Sequence, residues 1–548
     1  MSNDTIPAVV RAAAAFGSRD AVVDGSRRIP YTELVAGVRR AAAAYLAHGV
    51  SPGDRVAVWA PNGVEWMLAA LGAQYVGAVL VPVNTRYRGH EAADVLGRTR
   101  ARLLVVGQGF LGGDQVGLLR AAAAETAGGA DRGTGAGPIA GLPDLETVVT
   151  LQQAQDSDLP DGAVPWQRFV ADGAHVEVAR VEKLADAVTP DDVADILFTS
   201  GTTGRSKGAV SAHRQTLGAA RVWGELAGVT ADDRYLVISP FFHSFGSKAG
   251  YLVSLLTGAT TLPVAVFDTG TVLDLVERER VTLLPGAPTI YQSMLDDASL
   301  PGRDLASLRL AVTGAATVPQ VLVERMRTDL GFDDVLTAYG LTEAVVVTMC
   351  VPGDDPQTVA TTSGRAVSGV EVATLTADGR RGGPGETGEV LVRGPVVMQG
   401  YLDDPEATAA AVDAEGWLHT GDVGVVDERG YLRITDRIKD MFTVGGFNVY
   451  PAEVEHVLAA HPQVREAAVI GVPDERLGEV GRAYVVPRAG AEPDPEALVA
   501  HCRERLANYK VPRTVALVAD LPRNAGGKVV KPELRAAHLA ETGRTREG

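Results

Sequence analysis

The stretch DILFTSGTTGRSKGAV, residues 195–210, constrains the fold of this 548-residue chain more than any other. Its apolar run Ile196–Phe198 reads as a buried strand. The run empties into Thr199, Ser200, Gly201, Thr202, Thr203, Gly204, Arg205, Ser206, Lys207 and Gly208, none of them large and apolar. Glycines let a backbone approach a bulky anion. Hydroxyls and successive N–H groups donate to phosphate oxygens, and Arg205 and Lys207 supply positive charge. Such a loop belongs at the carboxyl end of a strand in an open α/β sheet, where ligands bind. The Gly-Lys-Ser/Thr ending of a Walker loop is absent, as is the dinucleotide fingerprint.

Further strand ends carry glycine loops. LRLAVTGAA runs into Gly314-Ala315-Ala316, VLTAYGLTE into Tyr339-Gly340-Leu341-Thr342-Glu343, and VTLLPGAPT into Pro285-Gly286. Several such loops suggest one composite site. Tyr339 suits stacking on a base or filling a core. Thr342 suits a phosphate, and Glu343 a divalent cation or plain solvent.

Helical stretches ending at glycine, such as YTELVAGVRRAAAAYLAHG, alternate with short apolar runs over the first 430 or so residues. That alternation predicts α/β layers with largely parallel sheets. The longest uncharged run, Ala249–Phe267, reads as a buried helix followed by a strand, not a membrane span. GGADRGTGAG, Gly128–Gly137, reads as a surface loop. From about residue 385 the pattern turns to antiparallel strands, and after about Asp440 a compact α+β unit follows, with a helix starting at Pro451. A net charge of -17 without a basic stripe argues against nucleic acid and against an anionic membrane. The two cysteines, Cys350 and Cys502, have no ligand spacing and read as reduced thiols. No secretory signal is visible at the N-terminus, so the cytoplasm is the expected address.

TSGTTGRSKG, YGLTE, WLHTGD, DRIKD and NAGGK, in this order, resemble the adenylate-forming (AMP-binding) superfamily of acyl-CoA synthetases, adenylation domains and luciferases. The resemblance implies a large adenylation domain, 1–436, of layered α/β subdomains plus a β-rich subdomain. It implies a small mobile α+β domain, 437–548, that presents different faces in two half-reactions. The implied chemistry is activation of a carboxylic acid by ATP with Mg²⁺, then transfer to coenzyme A. A carboxylate attacking a phosphate brings two anions together, so cations, not a protein nucleophile, are what the site needs. By resemblance, Thr199–Gly208 cradles the β- and γ-phosphates, with Thr202 also toward the metal. Gly314, Ala315, Ala316, Tyr339 and Gly340 frame adenine. Thr342 and Glu343 serve the α-phosphate and Mg²⁺. Asp422 and Arg437 hold the ribose. Lys439 is the hinge, and Gly445 and Gly446 line the pantetheine route.

SPFFHSFGSKAG, residues 239–250, matches a wall of the acyl pocket. His243 would sit near the carboxylate or gate the CoA tunnel, with Phe245, Gly286 and Gly340 lining the pocket. Lys248 is a cation beside that pocket, costly to desolvate against a plain fatty acid. It is expected either to face a substrate carbonyl or to reach solvent. Several stretches also resemble actinobacterial CoA ligases for the propanoate side chain of the methyl-indanedione left from steroid rings C and D. Medium- or long-chain fatty acids, or loading of a carrier protein, are the alternatives. The partners are small molecules, with a homodimer the expected association. Only seven cations are Lys, among 51 Lys and Arg: Lys183, Lys207, Lys248, Lys439, Lys510, Lys528 and Lys531. Lys528, in NAGGK, matches the lysine that bridges carboxylate and α-phosphate during adenylation, a task for a compact charge on a flexible stem.

Overall fold

The computed structural model describes residues 4–126, 138–151, 159–199, 206–314, 318–437, 440–444, 447–474, 477–506, 508–524 and 528–542. Of residues 126, 436, 437, 443, 447, 448 and 542 it describes the backbone. The expected loop Gly128–Gly137 lies outside these residues.

An eight-stranded sheet dominates the N-terminal half. Its order is Gly400–Tyr401, Gly208–Ala212, Val193–Phe198, Val79–Pro82, Arg55–Trp59, Leu103–Val106, Thr147–Thr150, Val164–Pro165. The last six run parallel, and the first two are antiparallel additions at one edge. Val79–Pro82 and Leu103–Val106 are buried along their whole length, as parallel strands covered on both faces must be.

A second layer joins two four-stranded sheets. Arg234–Val237, Thr260–Pro263, Asp20–Asp24 and Arg27–Pro30 form one; Leu310–Gly314, Asp334–Leu341, Ala344–Met349 and Arg365–Ala366 form the other. Leu283 bridges Tyr235 to Leu310 between them. The run after Lys248 folds as read. A π-turn over Ser247–Tyr251 continues as the helix Leu252–Thr257, ends at Gly258 with φ 83°, and enters the strand Thr260–Pro263. Glu371–Leu375, Thr387–Arg393, Leu418–Val426 and Leu432–Arg437 make the antiparallel sheet anticipated from residue 385.

A five-stranded sheet follows from Phe442–Val444 to Thr514–Leu517, with Pro451 as the first residue of its helix Pro451–Ala459. The apolar cores divide at this point. Buried clusters containing Trp66, Trp223 and Leu432 do not extend past Leu432, whereas two others run from Phe442 to Leu534. Polar contacts tie in the segment between: Arg535 Nη1 lies 3.8 Å from Asp440 Oδ1. Among the described residues no helix is long and apolar enough to cross a membrane. Cys350 and Cys502 are buried and unpaired.

Candidate active site

The strands Val193–Phe198 and Gly208–Ala212 pair antiparallel, Phe198 opposite Gly208, and the glycine-rich loop springs from their ends. Its neck closes where Thr199 N–H donates to the Lys207 carbonyl at 2.9 Å. Ser200 through Arg205 lie outside the described residues. Arg98 braces the neck: its Nη1 donates to the Ser206 carbonyl at 2.6 Å, and its guanidinium stacks 5.1 Å from the Phe198 ring centroid.

Leu310–Gly314 and Asp334–Leu341 run parallel with Gly314 opposite Ala338, so Gly314 and Tyr339, of the residues expected around adenine, lie on adjacent strand ends. Ala315 and Ala316 lie outside the described residues. A Cβ on Gly314 would stand 2.6 Å from the Ala338 carbonyl oxygen, and one on Gly340 2.0 Å from that of Val345. Both positions therefore demand glycine. Leu341 pairs with Ala344, leaving Thr342 and Glu343 as the two residues at the tip of a hairpin.

Tyr339 Oη donates to Asp422 Oδ2 at 2.6 Å, and Asp422 is 3% exposed. Asp422 faces Arg437 across the strands Leu418–Val426 and Leu432–Arg437. The register thus brings both expected ribose residues together, although the Arg437 side chain is not described. Glu389 steadies the approach, accepting Gly421 N–H at 3.1 Å and contacting His419 Nδ1 at 3.0 Å.

Lys207 and Glu343 meet at Tyr401. The ammonium lies 4.9 Å from the Tyr401 ring centroid, and Tyr401 Oη donates to Glu343 Oε1 at 2.8 Å. Met398 N–H ties to the Glu343 carbonyl at 2.7 Å. Sequence reasoning missed Tyr401. Its setting, GYLDDPEAT, signals only a helix cap, which forms where Asp404 accepts Ala407 N–H.

His243 caps the short helix Ser244–Gly246, its Nδ1 accepting Phe245 N–H at 3.2 Å. His243 is exposed to solvent although protein atoms crowd its ring. Burial, and then the positive charge of Lys528, hold its pKa down to about 4. The Lys528 charge is thus near enough to act on His243. Its loop is pinned at the base, where Lys528 N–H donates to Asn524 Oδ1 at 3.0 Å and Asn524 N–H to the Lys528 carbonyl at 2.9 Å. Phe245 packs edge-on against Trp223, with ring centroids 5.1 Å apart. Gly286 N–H donates to the Val312 carbonyl at 2.9 Å, on a neighbouring strand end.

Lys248 departs from its expected place. Its side chain is 2% exposed and its Nζ lies 2.9 Å from Asp195 Oδ1, whose side chain is 3% exposed. Thr216 Oγ1 donates to Asp195 Oδ2 at 2.6 Å. The ammonium thus faces neither solvent nor a pocket carbonyl, because the π-turn aims it into the core at a carboxylate on the strand feeding the phosphate loop. A readable signal existed: a lone Asp inside the strand VADILF needs a buried cation. Lys510 and Lys531 pair with Glu453 and Glu455 on the helix Pro451–Ala459, at 2.7 and 2.9 Å. Lys439, Gly445 and Gly446 lie outside the described residues.

Comparison with known proteins agrees with this layout. Residues 9–402 match the family described as AMP-binding enzyme, and residues 453–528 match the AMP-binding enzyme C-terminal domain. The chain is 55% identical to the 3-[(3aS,4S,7aS)-7a-methyl-1,5-dioxo-octahydro-1H-inden-4-yl]propanoyl:CoA ligase of Rhodococcus jostii (strain RHA1), over 97% of this chain and 98% of that protein. It is 53% identical to the ligase of the same name from Mycobacterium tuberculosis, over 98% and 99%. The crystal structure of ATP-bound MatB from Rhodopseudomonas palustris superimposes with a TM-score of 0.79 at 30% identity, covering 96% of this chain and 99% of that one.

Proposed function

Because the chain belongs to the family of AMP-binding enzymes, we propose that it is the ligase that joins coenzyme A to a propanoate carried on a 7a-methyl-1,5-dioxo-octahydroindene. Steroid rings C and D leave such a ring pair. The observation that carries this reading is the 55% identity, spanning 97% of the chain, to a ligase for that acyl group.

The chemistry runs in two displacements. The substrate carboxylate attacks the α-phosphorus of ATP, expelling pyrophosphate and leaving an acyl-adenylate. The thiol of coenzyme A, losing its proton, then attacks the acyl carbon and expels AMP. No covalent protein nucleophile is required, so the residues act by position and charge. Thr199–Gly208, with Lys207, would hold the β- and γ-phosphates. Gly314–Ala316, Tyr339 and Gly340 would frame adenine, and Asp422 with Arg437 would take the ribose hydroxyls. A carboxylate suits that task because it only accepts hydrogen bonds. Thr342 would meet the α-phosphate. His243, Phe245, Gly286 and Gly340 would border the acid.

Lys528 would bridge carboxylate and α-phosphate. Its reach to His243 in the present arrangement supports adenylation as the half-reaction this orientation serves. The neutral imidazole leaves the Lys528 charge to the two anions. Rotation at Lys439 would then withdraw that charge and bring Gly445 and Gly446 to the pantetheine.

Mg²⁺ fits the donor set. Glu343 offers a carboxylate at a hairpin tip beside Lys207, with Thr202 in the loop. Among the described residues no cluster of three His, Cys, Asp or Glu forms a cage by itself. This suits a cation that takes its remaining ligands from phosphate oxygens and water. Bound there, it would supply charge neutralisation on the triphosphate.

The deciding measurement is AMP release with ATP and coenzyme A over a panel of straight-chain, aryl and bicyclic acids. The bicyclic propanoate should give the highest kcat/KM. A straight-chain or aryl acid outperforming it would displace this reading.

A further inference from the structure

Lys207 and Glu343 carry opposite charge and converge on one side chain. The ammonium lies over the Tyr401 ring, 4.9 Å from its centroid, and the carboxylate accepts the Tyr401 phenolic proton at 2.8 Å. No ion pair joins Lys207 to Glu343. Lys207 is exposed and Glu343 half-buried, and opposite charges that converge on one side chain at a protein surface attract each other. Such a pair would leave the phosphate loop without its cation and the hairpin tip without its carboxylate.

Tyr401 satisfies each charge separately. The ring face carries negative potential and holds a cation, while the hydroxyl donates to the anion. Burial and the Glu343 charge both raise the phenol pKa, so the proton stays on Tyr401. The backbone fixes the ring in place. Tyr401 pairs with Ala209 and Gly400 with Val210, so the segment runs antiparallel to the strand leaving the phosphate loop. Leu402 N–H donates to the Gly208 carbonyl at 2.8 Å, and Met398 N–H to the Glu343 carbonyl at 2.7 Å. Tyr401 N–H is held by Thr408 Oγ1 at 2.9 Å. One short segment is thus tied to both charged residues and to neither reacting atom.

We propose that Tyr401 is a spacer, a positioning residue that keeps Lys207 and Glu343 from neutralising each other until ATP arrives. An incoming triphosphate then competes only with an aromatic face for the ammonium, not with a carboxylate. This rests on the reading of Lys207 and Glu343 as ATP contacts.

The test is a double-mutant cycle on the full chain. ATP binding is measured by calorimetry in EDTA, so that neither chemistry nor metal enters. Tyr401→Leu should weaken ATP binding about tenfold. Glu343→Gln should recover binding at least about fivefold more in the Tyr401→Leu background than in the unmutated one, because only there is Lys207 captured. Tyr401→Phe keeps the ring and should lose less than about threefold. Additive effects of Tyr401→Leu and Glu343→Gln, or a Phe variant as impaired as the Leu one, would overturn the spacer. Tyr401→Met is carried in parallel and decides the cycle if the Leu variant fails to fold. An unmutated chain that binds ATP neither in EDTA nor with Mg²⁺ would sink the ligase reading and the spacer with it. ATP binding with an additive cycle would sink the spacer alone.

Discussion

Lys248 Nζ lies 2.9 Å from Asp195 Oδ1, and the two side chains are only 2% and 3% exposed. The pair links the π-turn Ser247–Tyr251, next to His243 and Phe245, to the strand Val193–Phe198 that feeds the phosphate loop. Removing one partner of a buried pair strands a charge in the core. Replacing both by apolar residues is often nearly neutral. Lys248→Met should therefore destabilise the large unit by about 3–5 kcal/mol. The double variant Lys248→Met/Asp195→Leu should recover most of that loss, less the orphaned Thr216 hydroxyl. Thermal unfolding of the unmutated chain, the two single variants Lys248→Met and Asp195→Leu, and the double variant measures it. A single variant that melts with the unmutated chain would show that the pair contributes nothing.

Lys528→Ala should separate the two half-reactions. Adenylate formation, read by pyrophosphate exchange, should fall by about 100-fold or more, the scale of losing one transition-state charge contact. Thioester formation from supplied acyl-adenylate should change by less than about fivefold, because on the proposed reading the lysine is withdrawn in that step. Equal losses in both would reduce Lys528 to a residue that holds the fold.

The same substitution should move His243. Its pKa of about 4 has two causes, burial first and the Lys528 charge second. Deleting the charge leaves the burial, so the pKa should rise while staying below the ordinary 6.5. Histidine-selective NMR titration of the unmutated and Lys528→Ala chains resolves it. An unmoved resonance would mean that the small unit does not present Lys528 to this cleft in solution.

His213 predicts an acid limit to stability. It is fully buried, its Nδ1 accepts Ile6 N–H at 3.2 Å, and burial lowers its pKa from 6.5 to about 4. Between those values the unfolded chain takes up a proton that the folded chain refuses. Stability attributable to this residue is therefore intact above pH 6.5 and lost as pH falls toward 4, a change on the order of 3 kcal/mol. His213→Asn can keep an acceptor for Ile6 while abolishing the titration. Its unfolding midpoint should drop less between pH 7.5 and pH 5 than that of the unmutated chain, and identical drops would exclude His213 as the cause.

Much of this architecture was legible because period and punctuation are local. Gly49 ends the helix Tyr31–Ala47 at φ 78°, Pro451 starts another, and the uncharged run after Lys248 becomes the predicted helix and strand. The glycine loops were legible for the same reason, since each sits at the end of its own apolar strand. Side-chain direction was not. Lys248 reads as a pocket residue because SPFFHSFGSKAG resembles a pocket wall, but a π-turn shifts the facing of residues that ordinary helical spacing would align. Tyr401 was invisible because its partner Glu343 stands 58 residues away, and only strand pairing at the sheet edge brings them together. Lys510 and Lys531 had no reading until the helix bearing Glu453 and Glu455 came between them.

The division of the apolar cores between Leu432 and Phe442 sets an order on biosynthesis. Domains fold as units, N-terminal first, while the ribosome is still working. The nucleotide cleft can therefore close around its own core before the small unit exists. Lys528 comes later in the chain than every other residue placed at the site. On the proposed reading, a chain ending between Arg437 and Lys528 would hold the nucleotide contacts without the lysine assigned to acid activation. Acyl-adenylate formation would thus wait, on that reading, until the end of the small unit that carries Lys528 has been made.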